Sequence, residues 1–186
     1  AAARLGVLIK DVNDIEAMAR TDAFIFDKTG TLTTGELSVS RIAPDPATQP
    51  TDLLRCAASI ASGSHHPVSR AVAALARKAR ISLEHPDDLK EEPGRGVTAT
   101  IDGKRTYAGN LKYMEENGVS ADAFPGLDGE DVASMSLLFV ISEGKALGWI
   151  GVSDSARPDA ADSLTELRDL NVRFLAIVSG DRQAVV

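Results

Sequence analysis

The chain has 186 residues, 44% of them hydrophobic and 25% charged, with a formal net charge of −7 at pH 7. That composition suits one or two soluble globular domains, and the acidic balance argues against a nucleic-acid or anionic-membrane partner, because both recruit basic surfaces. Cys56 is the only cysteine, which leaves no disulfide framework and no C-x-x-C metal motif, and no stretch approaches the roughly 20 apolar residues that span a bilayer.

In chain order, Ala1-Ala2-Ala3-Arg4 lacks the charged-then-apolar layout of a signal peptide. Asp14 to Arg20 predicts one or two helical turns capped by Asn13 or Asp14. Ala23-Phe24-Ile25-Phe26 is a short apolar run that stops abruptly at Asp27-Lys28-Thr29-Gly30-Thr31-Leu32-Thr33, the pattern of a buried parallel strand delivering a group at its carboxyl end. A carboxylate in that place can attack phosphorus, with Lys28 offsetting charge and Gly30 allowing a tight turn that turns N–H groups toward phosphate. A strand followed by a plain turn is the simpler alternative.

Glu36 to Ile42 predicts a strand, and Pro44 through Pro50 is a breaker-rich linker marking a domain crossing. Thr51 caps a predicted helix over Asp52 to Ala61, with Leu53, Leu54, Ala57 and Ala58 on its apolar stripe and Cys56 as a small buried residue. Ser62-Gly63-Ser64-His65-His66-Pro67 leads into a second Ala-rich helix from Val68 to Arg80. An imidazole between two such helices can stack on a purine, although loop or cap histidines explain the same residues.

Glu84 to Glu91 reads as irregular. Gly94-Arg95-Gly96 can bring backbone amides against a ligand or merely turn, and Arg95 can meet a phosphate or stand in solvent. Val97 to Ile101, Asp102-Gly103 and Lys104 to Ala108 predict a hairpin that ends at Gly109-Asn110. A helix over Leu111 to Asn117 closes at Gly118, and Phe124 is an isolated anchor in an acidic loop. Ser136 to Ser142 and Lys145 to Val152 predict two more strands, with Trp149 covering one sheet face. Pro158 suits the first turn of a helix to Leu170 that turns Leu164, Leu167 and Leu170 inward, and Val172 to Val178 is a second buried strand ending at Ser179-Gly180-Asp181.

The stretch from Asp27 to Thr33 resembles the phosphorylation signature of P-type ATPases, cation pumps of the haloacid-dehalogenase-like superfamily. The resemblance implies that Asp27 is phosphorylated by ATP, with Mg2+ between its carboxylate and the Thr29 carbonyl. His66-Pro67 after the Ser-Gly-Ser turn, Gly94 and Gly96, and Gly109-Asn110 resemble the nucleotide-domain motifs of the heavy-metal-transporting members, in which the residue matching His66 packs on adenine and the glycines line the ATP pocket. That subfamily usually carries a Glu five positions before this His, where Ala61 stands here. Asp154, Arg157 and Pro158 match a D-x-x-R-P motif at the second domain crossing, and Ser179, Gly180 and Asp181 match a Thr-Gly-Asp triplet whose hydroxyl meets the phosphoryl group.

The implied fold is α/β: a partial doubly wound haloacid-dehalogenase-like phosphorylation domain (residues 1–43 and 153–186), with an inserted α+β nucleotide-binding domain over 44–152 whose antiparallel sheet is backed by helices. The implied activity is ATP hydrolysis through a phosphoaspartate in an integral membrane pump, at its cytoplasmic face. The partners implied are membrane helices, further cytoplasmic domains and a transported heavy-metal cation. A soluble phosphatase of the same superfamily is the rival, although such enzymes carry a second Asp where Thr29 stands. The family's downstream lysine and Mg2+-completing aspartates have no counterpart before Val186. An excised nucleotide-binding module without turnover is therefore the third expectation.

Overall fold

The structure, a computed structural model, describes residues 6–178. These form two compact units: Glu36–Ser155, and the flanking segments up to Gly35 and from Ala156.

In the flanking unit, helix α1 (Val12–Met18) is capped by Asp11, whose side chain accepts from the Asn13 N–H, rather than by Asn13 or Asp14 as expected. Strand β1 (Ala23–Asp27) pairs in parallel with β8 (Phe174–Val178), in a register that sets Ala23 against Phe174 and Asp27 against Val178. Between them in sequence, α5 (Ala160–Asp169) begins two residues beyond Pro158, with Asp159 as its cap. Leu164 and Leu167 are half-buried, whereas Leu170, expected to face inward, is 75% exposed. It sits at the helix C-cap, after the last turn that follows the apolar stripe.

The inserted unit is built on a six-stranded sheet in the order β2-β7-β6-β5-β4-β3. Its members are β2 (Thr33–Pro44), β3 (Asp87–Glu92), β4 (Gly96–Ile101), β5 (Lys104–Gly109), β6 (Ser136–Ser142) and β7 (Lys145–Ala156), antiparallel from β7 through β3. Side chains alternate across a strand, so β6 and β7 each serve two cores. Leu138, Val140, Ile150 and Val152 pack with Val97 and Ala99 in the cluster that includes helices α2 (Pro50–Ala61) and α3 (Pro67–Lys78). Phe139, Ile141 and Trp149 join a second cluster with Tyr113 and Met114 of α4 (Leu111–Glu116) and with Phe124.

Trp149 is fully buried and donates from Nε1 to the Pro125 carbonyl at 2.7 Å, which satisfies its one polar atom. Phe124 packs edge-on against Phe139 with ring centres 4.8 Å apart. Ala57, Ala58, Ala71 and Ala76 are all buried, and such short side chains let α2 and α3 approach closely.

Three expectations change here. Helix α2 starts at Pro50 with Gln49 as its cap, so Thr51 lies within the first turn; proline's fixed φ suits that start. Residues 87–91, within the stretch read as irregular, form the edge strand β3 with Glu92, because pairing with β4 overrides the weak strand propensity of Asp-Asp-Leu-Lys-Glu-Glu. Cys56 is half-buried rather than fully enclosed, and burial pushes its thiol pKa up against the opposing pull of Thr106, Arg55 and Lys104. Among the described residues, no helix is long and apolar enough to cross a membrane.

Candidate functional site

Two constellations carry the residues singled out by sequence, one in each unit. In the flanking unit, β1 ends at Asp27 and the chain coils through Lys28–Leu32, with Thr29 extended (φ −75°, ψ 120°) and Gly30 at φ 78°. A left-handed residue there accounts for the glycine. The loop is held from two sides. Thr33 Oγ1 accepts from the Gly30 N–H at 3.0 Å and donates to the Lys28 carbonyl at 3.2 Å.

Arg157 takes three consecutive carbonyls. Its Nη2 donates to Gly30 at 3.2 Å, its Nε to Thr31 at 3.0 Å and its backbone N–H to Leu32 at 2.9 Å. A planar guanidinium with fixed donors suits such a clamp. Sequence reasoning noticed Arg157 only as part of a motif, because the pairing spans more than a hundred residues and leaves no local trace.

Ser179, Gly180 and Asp181 lie outside the described residues; β8 ends at Val178, the partner of Asp27. Among the described residues, no group of three or more His, Cys, Asp or Glu side chains is assembled to hold a metal. The Asp27 carboxylate and the Thr29 carbonyl are hard oxygen donors. They fit Mg2+, which is commonly held by one or two carboxylates with phosphate oxygens and water completing its shell.

In the inserted unit, a cleft of about 240 Å³ brings together His66, Gly94, Gly96, Gly109 and Asn110. Its apolar wall includes Ile60, Ala61, Val68, Val97 and Leu138. Pro67 opens α3 and is not among the residues lining the cleft. His66 is the α3 N-cap, and its Nδ1 accepts from the Val68 N–H at 3.3 Å. The cap reading and the wall reading of His66 therefore hold together. His65 is exposed and does not line the cleft.

Gly96 and Gly109 sit directly opposite one another on β4 and β5. A Cβ on Gly96 would come 2.7 Å from both Gly109 Cα and Tyr113 Cδ1, so close packing already requires the pair, apart from any ligand. Asn110 ties the Gly94 loop to α4: its Nδ2 donates to the Gly94 carbonyl and its Oδ1 accepts from the Tyr113 N–H, both at 2.9 Å. Arg95 does not stand alone as a phosphate ligand. Its Nη1 lies 2.7 Å from Glu116 Oε2 and 3.9 Å from Glu92 Oε2.

Tyr113, 3% exposed, donates its hydroxyl to Glu92 Oε1 at 3.2 Å. Burial first, and the Glu92 carboxylate second, push its phenol up to about 12. Ser64 and Glu91 also line the cleft, with Ser64 Oγ 2.9 Å from Glu91 Oε1. Sequence reasoning passed over both, since one lies in a turn and the other in a stretch read as irregular.

An aspartate that ends a parallel strand and leads into a tight loop, with an antiparallel unit inserted in the chain, is the plan of a known class. Residues 21–186 match the model of the haloacid dehalogenase-like hydrolases, and the chain belongs to that family. Within it, the similarity is to heavy-metal P-type ATPases. The chain is 31% identical over 182 residues to the silver exporting P-type ATPase of Salmonella typhimurium, covering 97% of this chain and 22% of that protein.

A zinc-transporting PIB-type ATPase in its E2.Pi state superposes with a TM-score of 0.87 at 31% identity, over all of this chain and 30% of the other. The catalytic domain of the CPx-ATPase CopB-B, from a structure concerned with conformational changes upon nucleotide binding, gives a TM-score of 0.68 at 26% identity, over 98% of this chain and 63% of that one. The chain spans about a quarter of the length of the relatives it matches.

Proposed function

We propose that the chain is the ATP-binding and phosphorylation region of a heavy-metal-cation-transporting P-type ATPase, with Asp27 as its phosphorylated residue. Residues 44–152 form the nucleotide-binding domain, and residues 1–43 and 153–186 contribute to the phosphorylation domain. The complete protein would be an integral membrane pump carrying this region on the cytoplasmic face, joined to membrane helices and further cytoplasmic domains. Its cargo would be a cation of the kind its relatives' names give, silver or zinc among them.

The observation that carries the reading is the loop after Asp27. A carboxylate at the mouth of a parallel strand is followed by a turn whose carbonyls are clamped by Arg157, so the loop that carries the nucleophile is oriented by side-chain hydrogen bonds. An Asp27 carboxylate oxygen bonds to the γ-phosphorus of ATP, the bond from that phosphorus to the bridging oxygen breaks, and ADP departs. Water later attacks the phosphorus of the aspartyl phosphate, releasing phosphate and restoring the carboxylate.

Mg2+ held by Asp27 and the Thr29 carbonyl supplies charge neutralisation when bound. Lys28 adds positive charge beside the nucleophile, and Ser179, with Gly180 and Asp181, offers a hydroxyl to the phosphoryl oxygens. ATP binds in the cleft of His66, Gly94, Gly96, Gly109 and Asn110. Thr29 stands where a phosphatase would carry its acid/base Asp, which favours a persistent phosphoaspartate over rapid hydrolysis.

The test is labelling of the complete polypeptide with ATP radiolabelled at the γ-phosphate, followed by acid quench and hydroxylamine treatment. A hydroxylamine-labile label that disappears in Asp27→Asn is expected. Label retained by Asp27→Asn would refute the assignment.

A further inference from the structure

The nucleotide cleft contains two carboxylates with different surroundings. Glu92 is occupied: its Oε1 accepts from the Tyr113 hydroxyl, and its Oε2 lies near Arg95. Glu91 faces a hydroxyl instead of a cation. On the β3–β4 ladder it stands opposite Val97, a buried member of the α2–α3 core, and cross-strand partners project to the same side. Its side chain therefore leaves the sheet on the side of His66 and Ser64.

The bond that holds Glu91 has a defined direction. Ser64 is 7% exposed, and its Oγ accepts from the His66 backbone N–H at 3.2 Å, so its hydroxyl proton is directed to Glu91 Oε1, 2.9 Å away. A single relay thus fixes the backbone of His66 and one oxygen of Glu91 together. Glu91 lines the cleft together with Ile60, Ala61 and Leu138, and its second oxygen has no bond to Ser64. An ionised carboxylate only accepts hydrogen bonds. On the wall of a binding cleft it favours a ligand edge that carries a donor and opposes one that carries an acceptor.

Resting on the nucleotide reading above, we infer that Glu91, positioned by Ser64, selects adenine in this cleft by accepting a hydrogen bond from the exocyclic 6-amino group of a purine stacked on His66. Hypoxanthine carries an oxygen at that position, where it meets the carboxylate acceptor to acceptor. Ser64 acts as a positioning residue, and Glu91 as the specificity-determining one.

The experiment is calorimetric titration of the chain with ATP and with ITP, which differ at the 6-position, for the wild type and for Glu91→Gln and Ser64→Ala. The wild type should prefer ATP on the order of tenfold or more, the range expected for a hydrogen bond to a charged group. Glu91→Gln should bring the two affinities close together, because an amide can donate to the ITP oxygen as well as accept. Ser64→Ala should narrow the gap part of the way. Glu91 is exposed at the sheet edge, so the melting temperature of Glu91→Gln should match the wild type and a changed ratio cannot come from misfolding.

An ATP:ITP ratio unchanged in Glu91→Gln, or equal affinities in the wild type, would overturn the role of Glu91 while leaving the nucleotide cleft intact. Absence of binding by either nucleotide would overturn both.

Discussion

Replacing His66 with alanine removes two interactions that can be measured separately. The imidazole lines the proposed nucleotide cleft, and its Nδ1 also caps α3 by accepting from the Val68 N–H. Loss of an aromatic surface under a base costs about 1–3 kcal/mol, which corresponds to ATP affinity weaker by about 5- to 150-fold. Loss of the cap costs stability. The 3.3 Å contact is long for such a bond, so a value near the lower end of the usual 0.5–2 kcal/mol is expected, about 0.5 kcal/mol.

His66→Asn separates the two effects, since asparagine is a good N-cap without an aromatic ring. It should restore the melting temperature and leave ATP binding weak. His65→Ala is the control, because His65 is exposed and away from the cleft lining. Calorimetric titration with ATP and thermal melting of the wild type and the three variants provide the measurements. Wild-type affinity in His66→Asn, or an equal loss in His65→Ala, would refute the stacking argument.

Arg157→Ala should lower the rate of Asp27 phosphorylation by up to about 100-fold, because the nucleophile loop loses its side-chain clamp on the Gly30 and Thr31 carbonyls. The effect on stability should stay within about 1 kcal/mol, since both bonds are exposed. Arg157→Lys should not restore the rate, because an ammonium cannot reproduce the fork. At alkaline pH, one phenolate should develop late, near pH 12, and Tyr113→Phe should abolish that phase of the absorbance titration. The folded pKa lies above the ordinary 10.0, so the protonated phenol favours the fold. This contribution is complete below about pH 10 and is lost as pH rises through 12, a loss that Tyr113→Phe should remove from alkaline melting curves.

Features written in consecutive residues were legible in the sequence; those made by distant pairing were not. The strand into Asp27 and the hairpin around Asp102-Gly103 stand where they were expected, because an apolar run with an abrupt polar end and a left-handed turn at Asp102 are local chemistry, but the strands over Ala23–Asp27 and Phe174–Val178, read as buried, have no fully buried residue. The edge strand β3 was invisible, since its residues are polar and only the ladder with β4 makes them a strand.

Long-range pairing also decides much of the site. Arg95 meets Glu116, 21 residues away, and Ser64 meets Glu91, 27 residues away. The glycines of the cleft were legible as residues but not as reasons. Gly96 and Gly109 are required by the approach of two strands and Tyr113 before any phosphate is considered.

The two sites stand on unequal foundations, and this decides how results on one bear on the other. Glu36–Ser155 contains both buried clusters and the whole lining of the nucleotide cleft. In the flanking unit, Ile25, Phe174 and Val178 are each more than half exposed, although they sit on the paired strands that end at the Asp27 mouth. A two-stranded sheet with open apolar surface is marginal by itself, and such regions open locally at much lower free energy than a packed core. Weak phosphorylation of Asp27 in the isolated chain would therefore say little about the cleft. The proposed nucleotide selectivity at Glu91 and stacking at His66 rest on residues whose positions depend on the packed unit, so their titrations test the binding chemistry independently of the nucleophile.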